Sequence, residues 1–311
     1  PEHMPGKRIK WATKLAYLEL LRRLPDAAAV NLDYFRVFGR FPNLANPQLF
    51  SEKMQYLKLQ DHDPRTPALV DKVRVKDFVA NAIGEEWLIP TLWHGEHLTQ
   101  EILSDMPMPA VVKANHSSAQ VKFVTANSNM SSIAAEANGW LSYDHHVVHR
   151  EWAYGNVKRQ LLIEPFIGAD QAPEDYKFWV FDGVVRFVQV DHGRFNRHTR
   201  QFYSPSWNRL DLKMNYPDAA ANVPVPRHLE FMLQAASKLA DGFRFVRVDL
   251  YDTPQKPLFG EMTFSPEAGL CRFEPADFDL QLGESWSYPE ATNEVQQLRS
   301  FADAFKLRGD G

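Results

Sequence analysis

The stretch Phe245-Val-Arg-Val-Asp-Leu-Tyr251, followed by Pro257-Leu-Phe-Gly-Glu-Met-Thr-Phe264, sets ionisable side chains at the two-residue period of a β-strand. Arg247 and Asp249 fall on one face of the first run, Glu261 and Thr263 on one face of the second. The turn-like Asp252-Thr-Pro-Gln-Lys256 between them reads as a hairpin. Carboxylates that face each other across a hairpin repel unless something positive lies between them. Oxygen ligands of this kind suit Mg²⁺, which takes one or two carboxylates together with nucleotide phosphates. A surface hairpin with a wet polar face shows the same alternation, so other segments must decide.

Lysines on apolar strands help to do so, because a buried ammonium is costly without a partner. Lys113 lies in Ala110-Val-Val-Lys-Ala114 and Lys177 in Asp175-Tyr-Lys-Phe178, while Lys72 sits in Val70-Asp-Lys-Val73. Three lysines and two facing carboxylates are the inventory for a nucleoside triphosphate with its metal. The usual phosphate loops, Gly-x-x-x-x-Gly-Lys-Ser/Thr and Gly-x-Gly-x-x-Gly, do not occur. His145, His146, His149, His192 and His198 match no zinc spacing. No Gly-x-Ser-x-Gly turn supports a serine hydrolase.

The elements that must position these residues are legible in outline. The pattern predicts helices over 7–24, from Ser51, over 71–83, 131–141, 228–239 and 273–282. It predicts strands over 87–93, 109–115, 121–125 and 161–167, and a hairpin of 176–181 with 184–190 around Asp182-Gly183. Residues 193–227 read as a long functional loop, in which Tyr203, Trp207 and Tyr216 either stack on a sugar or pack the loop down. Arg197 and Arg200 there either recognise an acidic acceptor or are solvated. Mixed helices and antiparallel hairpins make the class α+β.

Composition sets the bounds. A 311-residue chain with 44% hydrophobic residues and 21 Phe builds a sizeable core. The net charge of -4 argues against nucleic acid as a partner. The single cysteine, Cys271, forms no internal disulfide and fits the cytoplasm. No run reaches the roughly 20 apolar residues of a membrane span. Pro1-Glu-His-Met4 reads as an expression remnant. The helix over 7–24 has an apolar stripe through Trp11 and Leu15 flanked by basic residues. Such a helix docks on its own domain or rests weakly on the inner face of a membrane or a biosynthetic complex.

The order of segments resembles the ATP-grasp superfamily. Asp71-Lys72 through Gly84 to Pro90, Val111-Val-Lys113-Ala, Ile163-Glu164-Pro-Phe-Ile167, and Asp249 with Glu261-Met-Thr263 follow its pattern. More narrowly, the chain resembles the TupA-like ATP-grasp family. The resemblance is carried by Phe50-Ser-Glu-Lys-Met-Gln-Tyr-Leu57, Val112-Lys-Ala-Asn-His-Ser117, Arg150-Glu-Trp-Ala-Tyr154, Asp175-Tyr-Lys-Phe178, Val188-Gln-Val-Asp191 with Arg194, and Phe245–Tyr251. Each match is weak alone, but in this order they are strong together.

The resemblance implies an ATP-grasp fold that clamps nucleotide between two α+β subdomains. Residues 1–60 would be a helical extension, 61–108 the N-terminal part, 109–163 the lid, and 164–311 the subdomain with the metal site. It further implies that ATP and Mg²⁺ are bound. Lys72 and Lys113 would hold phosphates, with His116, Ser117 and Ser118 in the lid turn beside them. Glu164 and the backbone near Phe166 would receive adenine, and Asp175 or Glu174 the ribose hydroxyls. Asp249 and Glu261, assisted by Thr263, would hold the metal. Arg247 would stabilise a transferring phosphoryl or acyl-phosphate, with Arg194 and Lys177 next in line.

Two departures stand out. The family's lid loop tends to be His-Gly-Ser-Gly, whereas His116-Ser117-Ser118-Ala119-Gln120 has no glycine, and Thr263 stands where Asn is usual. The function implied is a carboxylate-amine ligase that works through an acyl-phosphate on an envelope polysaccharide or small-molecule acceptor. A sugar kinase with the same site and a non-catalytic ATP- or glycan-binding module are the alternatives.

Overall fold

The computed structural model describes residues 16–118, 120–168, 173–193, 198–219 and 221–286. Arg194, Arg197 and Trp11 lie outside the described residues. Its centre is an antiparallel five-stranded sheet in the order β10-β9-β5-β6-β7. These strands are β5 (Asp175–Phe181), β6 (Val184–His192), β7 (Thr199–Tyr203), β9 (Phe245–Asp252) and β10 (Pro257–Thr263). Short β8 (Lys213–Met214) pairs with β11 (Phe273–Glu274) beside it.

The two faces of this sheet have different tasks. On one face Phe178, Val180, Val188, Val246, Val248 and Met262 bury against the helix Leu229–Leu239. That helix presents Met232, Ala235, Ala236 and Leu239, the spacing of an apolar stripe on one side. On the other face Trp179, Phe187, Phe202 and Phe245 close around Phe50, whose ring lies 5.2 Å from that of Phe245 and 5.6 Å from that of Trp179. Farther along the same face the alternating positions become Lys177, Asp175, Arg247, Asp249, Glu261 and Thr263. The aromatic half anchors the sheet and leaves the polar half for chemistry.

The helix Phe50–Gln60 is thus part of the core. Ser51 Oγ donates to Asp279 at 2.6 Å, and Lys53 Nζ donates to the carbonyls of Gly283 at 2.5 Å and Trp286 at 3.0 Å. Glu52 accepts from Arg40 and from the N–H groups of Asn43 and Gln48.

The smaller sheet runs β1-β4-β2-β3, from β1 (Trp93–Gly95), β2 (Ala110–Ala114), β3 (Val121–Val124) and β4 (Leu161–Pro165), all antiparallel. It draws β1 from before residue 109. Its inner face of Ala110, Val112, Ala114, Val124 and Ile163 packs on Ile133, Ala134 and Ala137 of the helix Met130–Trp140. The register leaves Val111, Lys113, Val121, Phe123 and Glu164 on the opposite face.

Several local expectations are corrected. Residues 193–227 are not one loop: β7 pairs with β6, where Arg200 meets Asp191, and β8 pairs with β11. Tyr203 and Trp207 stack on each other at 4.5 Å and join the core, so they pack that segment down. Tyr216 lies under the Arg200 guanidinium at 4.6 Å. The helix expected over 71–83 starts at Val75, since Asp71 bonds the Val73 and Arg74 N–H groups and forms a turn first. The strand expected over 87–93 is a short 3₁₀ turn, Glu85–Trp87, with pairing delayed to Trp93. The last expected helix begins only at Phe278, because β11 and Pro275 occupy its start. Among the described residues no helix is long and apolar enough to cross a membrane.

Candidate active site

The floor of the site is the β9–β10 hairpin. A bulge at Gly260 sets its register: Phe259 pairs with Leu250, yet Glu261 pairs with Asp249. Without the extra residue, Phe259 and Glu261 would share a face. With it, Phe259 enters the core and Glu261 turns to the cleft. Glycine is required, because a Cβ at 260 would lie 2.9 Å from the Asp249 carbonyl oxygen.

Arg247 lies between the carboxylates. Its Nε and Nη2 donate to both Asp249 oxygens at 2.7 Å, and Nη2 also reaches the Thr263 hydroxyl at 3.0 Å and Glu261 at 3.5 Å. Burial works against its charge, but Asp249 and Glu261 together drive the Arg247 pKa upward. Lys177, only 3% exposed, donates to Asp175 and Asp249 at 2.5 Å each. Burial pushes the Asp249 carboxyl up, and Arg247 and Lys177 pull it back. Acids and bases therefore alternate across the floor, which is how buried charges are tolerated.

Above the floor, Lys72 donates to the Ser117 carbonyl at 2.7 Å and stands 3.9 Å from Glu261. It thus touches lid turn and floor together. Burial, aided by nearby Lys113, lowers its pKa despite Glu261. Lys113 donates to Glu164 at 2.6 Å. The other Glu164 oxygen accepts from Lys76 at 2.5 Å, and Lys76 also bonds the Ile89 carbonyl and the Thr91 hydroxyl. Burial disfavours the Glu164 charge, yet Lys113 and Lys76 hold its carboxyl below the usual range.

Lys76 is absent from the sequence-based set. Its position four residues after Lys72, just inside the helix, is the signal that could have found it. Asp71 and Asn115 are equally absent: Asn115 is buried, donates to Asp71 at 3.0 Å and to the Lys158 carbonyl at 2.9 Å, and so ties the end of β2 to the turn before the helix Val75–Ile83.

The remaining expected residues divide. Phe166 lies edge-on to Phe123 at 4.8 Å, and Phe123 is 50% exposed on the face that carries Lys113. These rings are an apolar platform of the kind an adenine ring covers. The Phe166 N–H itself donates to the Pro109 carbonyl at 3.1 Å. Ser118 is exposed at the turn, whereas the Ser117 hydroxyl is turned inward to Gln120. His116 is 1% exposed, with Nδ1 3.2 Å from the Asn115 side-chain oxygen, so the structure buries it behind the turn. Asp175 sits with Lys177 on the floor, and Glu174 binds Tyr176 and His192 instead. Arg200 is 3% exposed and paired with Asp191 and Glu267, neither solvated nor facing an acceptor.

Among the described residues no group of three or more His, Cys, Asp and Glu side chains forms a metal cage. Asp249 and Glu261 offer oxygen only, beside cations able to take phosphate. That donor set fits Mg²⁺, which leaves most of its shell to phosphates and water.

No curated protein matches the chain. Among solved structures, D-alanine–D-alanine ligase from Bacillus anthracis is similar at 19% identity over 63% of this chain and 57% of that one, with a TM-score of 0.36. The ATP-grasp ligase PsnB, in complex with a phosphomimetic precursor, Mg and ADP, is similar at 11% identity over 76% and 64%, with a TM-score of 0.41. The chain thus spans less than two thirds of the length of either. Residues 52–287 match the TupA-like ATPgrasp family, and the chain, with its α+β ATP-grasp fold, belongs to that family.

Proposed function

We propose that the protein is an ATP- and Mg²⁺-dependent carboxylate-amine ligase that forms an amide on a cell-envelope glycan or a similar acceptor, through an acyl-phosphate. The single observation that carries this reading is Arg247, held by Asp249 and Thr263 with Lys72 and Lys113 opposite. Such a set neutralises a triphosphate from two sides and leaves a guanidinium where charge builds on the transferring phosphoryl.

Lys72 and Lys113 hold the phosphate tail, and Phe123 with Phe166 supports the base. Glu164 keeps Lys113 and Lys76 aligned. Asp249 and Glu261 would hold Mg²⁺, which would supply charge neutralisation to the phosphate tail. The substrate carboxylate attacks the γ-phosphorus and ADP leaves with the electrons of the broken P–O bond. A neutral amine then attacks the acyl carbon, phosphate departs with the electrons of the broken C–O bond, and the proton lost from nitrogen passes to the departing phosphate or to water. Arg247 stabilises the transferring group in the first step and the leaving phosphate in the second.

The test is incubation with ATP, Mg²⁺, uronic-acid acceptors and amines. A ligase yields ADP, free phosphate and an amide. ADP with a phosphorylated acceptor would show a kinase instead.

A further inference from the structure

Beyond Arg247, on the side away from Asp175, the floor runs into a cavity of about 450 Å³. Phe245 lines it, and Arg247 then Asp249 follow on the same face of β9; Ser265 lines it just past Thr263 on β10. Arg247 and Thr263 therefore stand between the carboxylates and the cavity. The lining also holds Glu151, Trp152 and Tyr154.

The charges of this cavity are unequally satisfied. Lys58 Nζ donates to the carbonyls of His149 at 3.1 Å and Ala268 at 2.9 Å. Arg65 forks onto Asp63, donates to the Gly242 carbonyl and lies 4.1 Å from the Phe243 ring centre. Arg244 stands at the exposed rim. Glu151 is 11% exposed at its side chain; one oxygen takes His145 Nε2 at 3.2 Å, and the other has no hydrogen-bond partner among the described residues. Tyr154 also lines the cavity and its ring packs on His145 at 4.4 Å; burial first, and Glu151 and Glu261 next, push its hydroxyl well up. A recessed carboxylate with an open oxygen beside Trp and Tyr rings is the chemistry that selects an ammonium group.

We propose that this cavity seats the primary amine substrate, its ammonium on Glu151 beside Trp152 and Tyr154. This rests on the ligase reading above. The ammonium gives up one proton to water, and the neutral amine then approaches the acyl carbon from the Arg247 side, opposite Lys72 and Lys113; the C–N bond forms as phosphate leaves with the electrons of the C–O bond.

Titration calorimetry on the full chain tests it, with and without Mg²⁺ and a non-hydrolysable ATP analogue. D-glucosamine and L-alanine serve as probes, and their N-acetyl forms as amine-blocked controls. At least one free amine should bind ten times more tightly than its blocked form, and which one does so separates amino sugar from amino acid. Glu151→Gln should erase that preference while analogue affinity stays unchanged. Trp152→Ala, the second variant should Glu151→Gln not fold, should weaken the amine at least tenfold. Equal binding of free and blocked forms, no binding of either amine, or an unaltered preference in Glu151→Gln would overturn the proposal. Failure of the analogue to bind, with amine selectivity intact, would instead remove the ligase reading and leave the amine site standing.

Discussion

Arg247 carries the sharpest claim at the scale of single residues. Its fork grips both Asp249 oxygens while one nitrogen also meets Thr263 and Glu261, a geometry an ammonium cannot copy. Arg247→Lys should lower turnover by about 10²- to 10³-fold, the cost of losing one preorganised charge donor. Nucleotide affinity should change only a few-fold, as read from ADP release set beside equilibrium binding. Lys177 has a different task. It touches Asp175 and Asp249 from its place between them on the same face of the sheet, so Lys177→Met leaves two buried carboxylates facing each other. Denaturant unfolding should show a loss of about 3–5 kcal/mol, the scale for breaking one partner of a buried pair.

Residue types and spacing in the sequence were enough to group Asp249, Glu261, Arg247, Lys72 and Lys113. The same reasoning did not show that His116 is buried, because a histidine in a turn looks exposed until the fold covers it. It missed Lys76 and Asn115, whose roles come from contacts across 88 and 44 positions of the chain.

At the scale of elements, the bulge in β10 decides whether the hairpin is a site at all. Alternation in the sequence puts Glu261 and Thr263 together, but only the unpaired Gly260 brings Glu261 opposite Asp249. Gly260→Val should abolish Mg²⁺-dependent nucleotide binding even in protein that remains folded by circular dichroism. The short helix His145–His149 is a second sensitive element. Burial first, and His145 next, push His149 down to about 4. Its unfolded value is about 6.5, so between these limits the unfolded chain holds a proton that the native chain refuses. Stability should therefore fall as pH drops from about 6.5 to about 4, by up to about 3 kcal/mol. His149→Gln should flatten that limb in pH-dependent unfolding. Elsewhere the patterning was read with its ends displaced: Asp71 delays one helix and Pro275 another, and pairing with β6 turns an expected loop into β7.

At the scale of the molecule, two sheets with separate cores lie on either side of Lys72 and Lys113. The Lys72 amide reaches the Asn115 carbonyl, and Asn115 reaches Asp71. A ligand held by both sheets adds contacts absent from the free protein. At a hundred times its dissociation constant it adds about 2.7 kcal/mol, worth roughly 5 °C in melting temperature for a chain of this size. Asn115→Ala should reduce that rise by loosening the lid. The class α+β followed from element order, but the partition of the two sheets did not, since β1 joins β4 across 66 to 70 positions of chain that periodicity cannot connect.

The most direct test of the two-sided grip is calorimetric titration of ATP with and without Mg²⁺, comparing the native chain with Asp249→Asn/Glu261→Gln. The native chain should bind at least tenfold more tightly with Mg²⁺, and the double variant should bind weakly and indifferently to the metal. Equal Mg²⁺ dependence in both proteins would place the metal elsewhere and contradict the account.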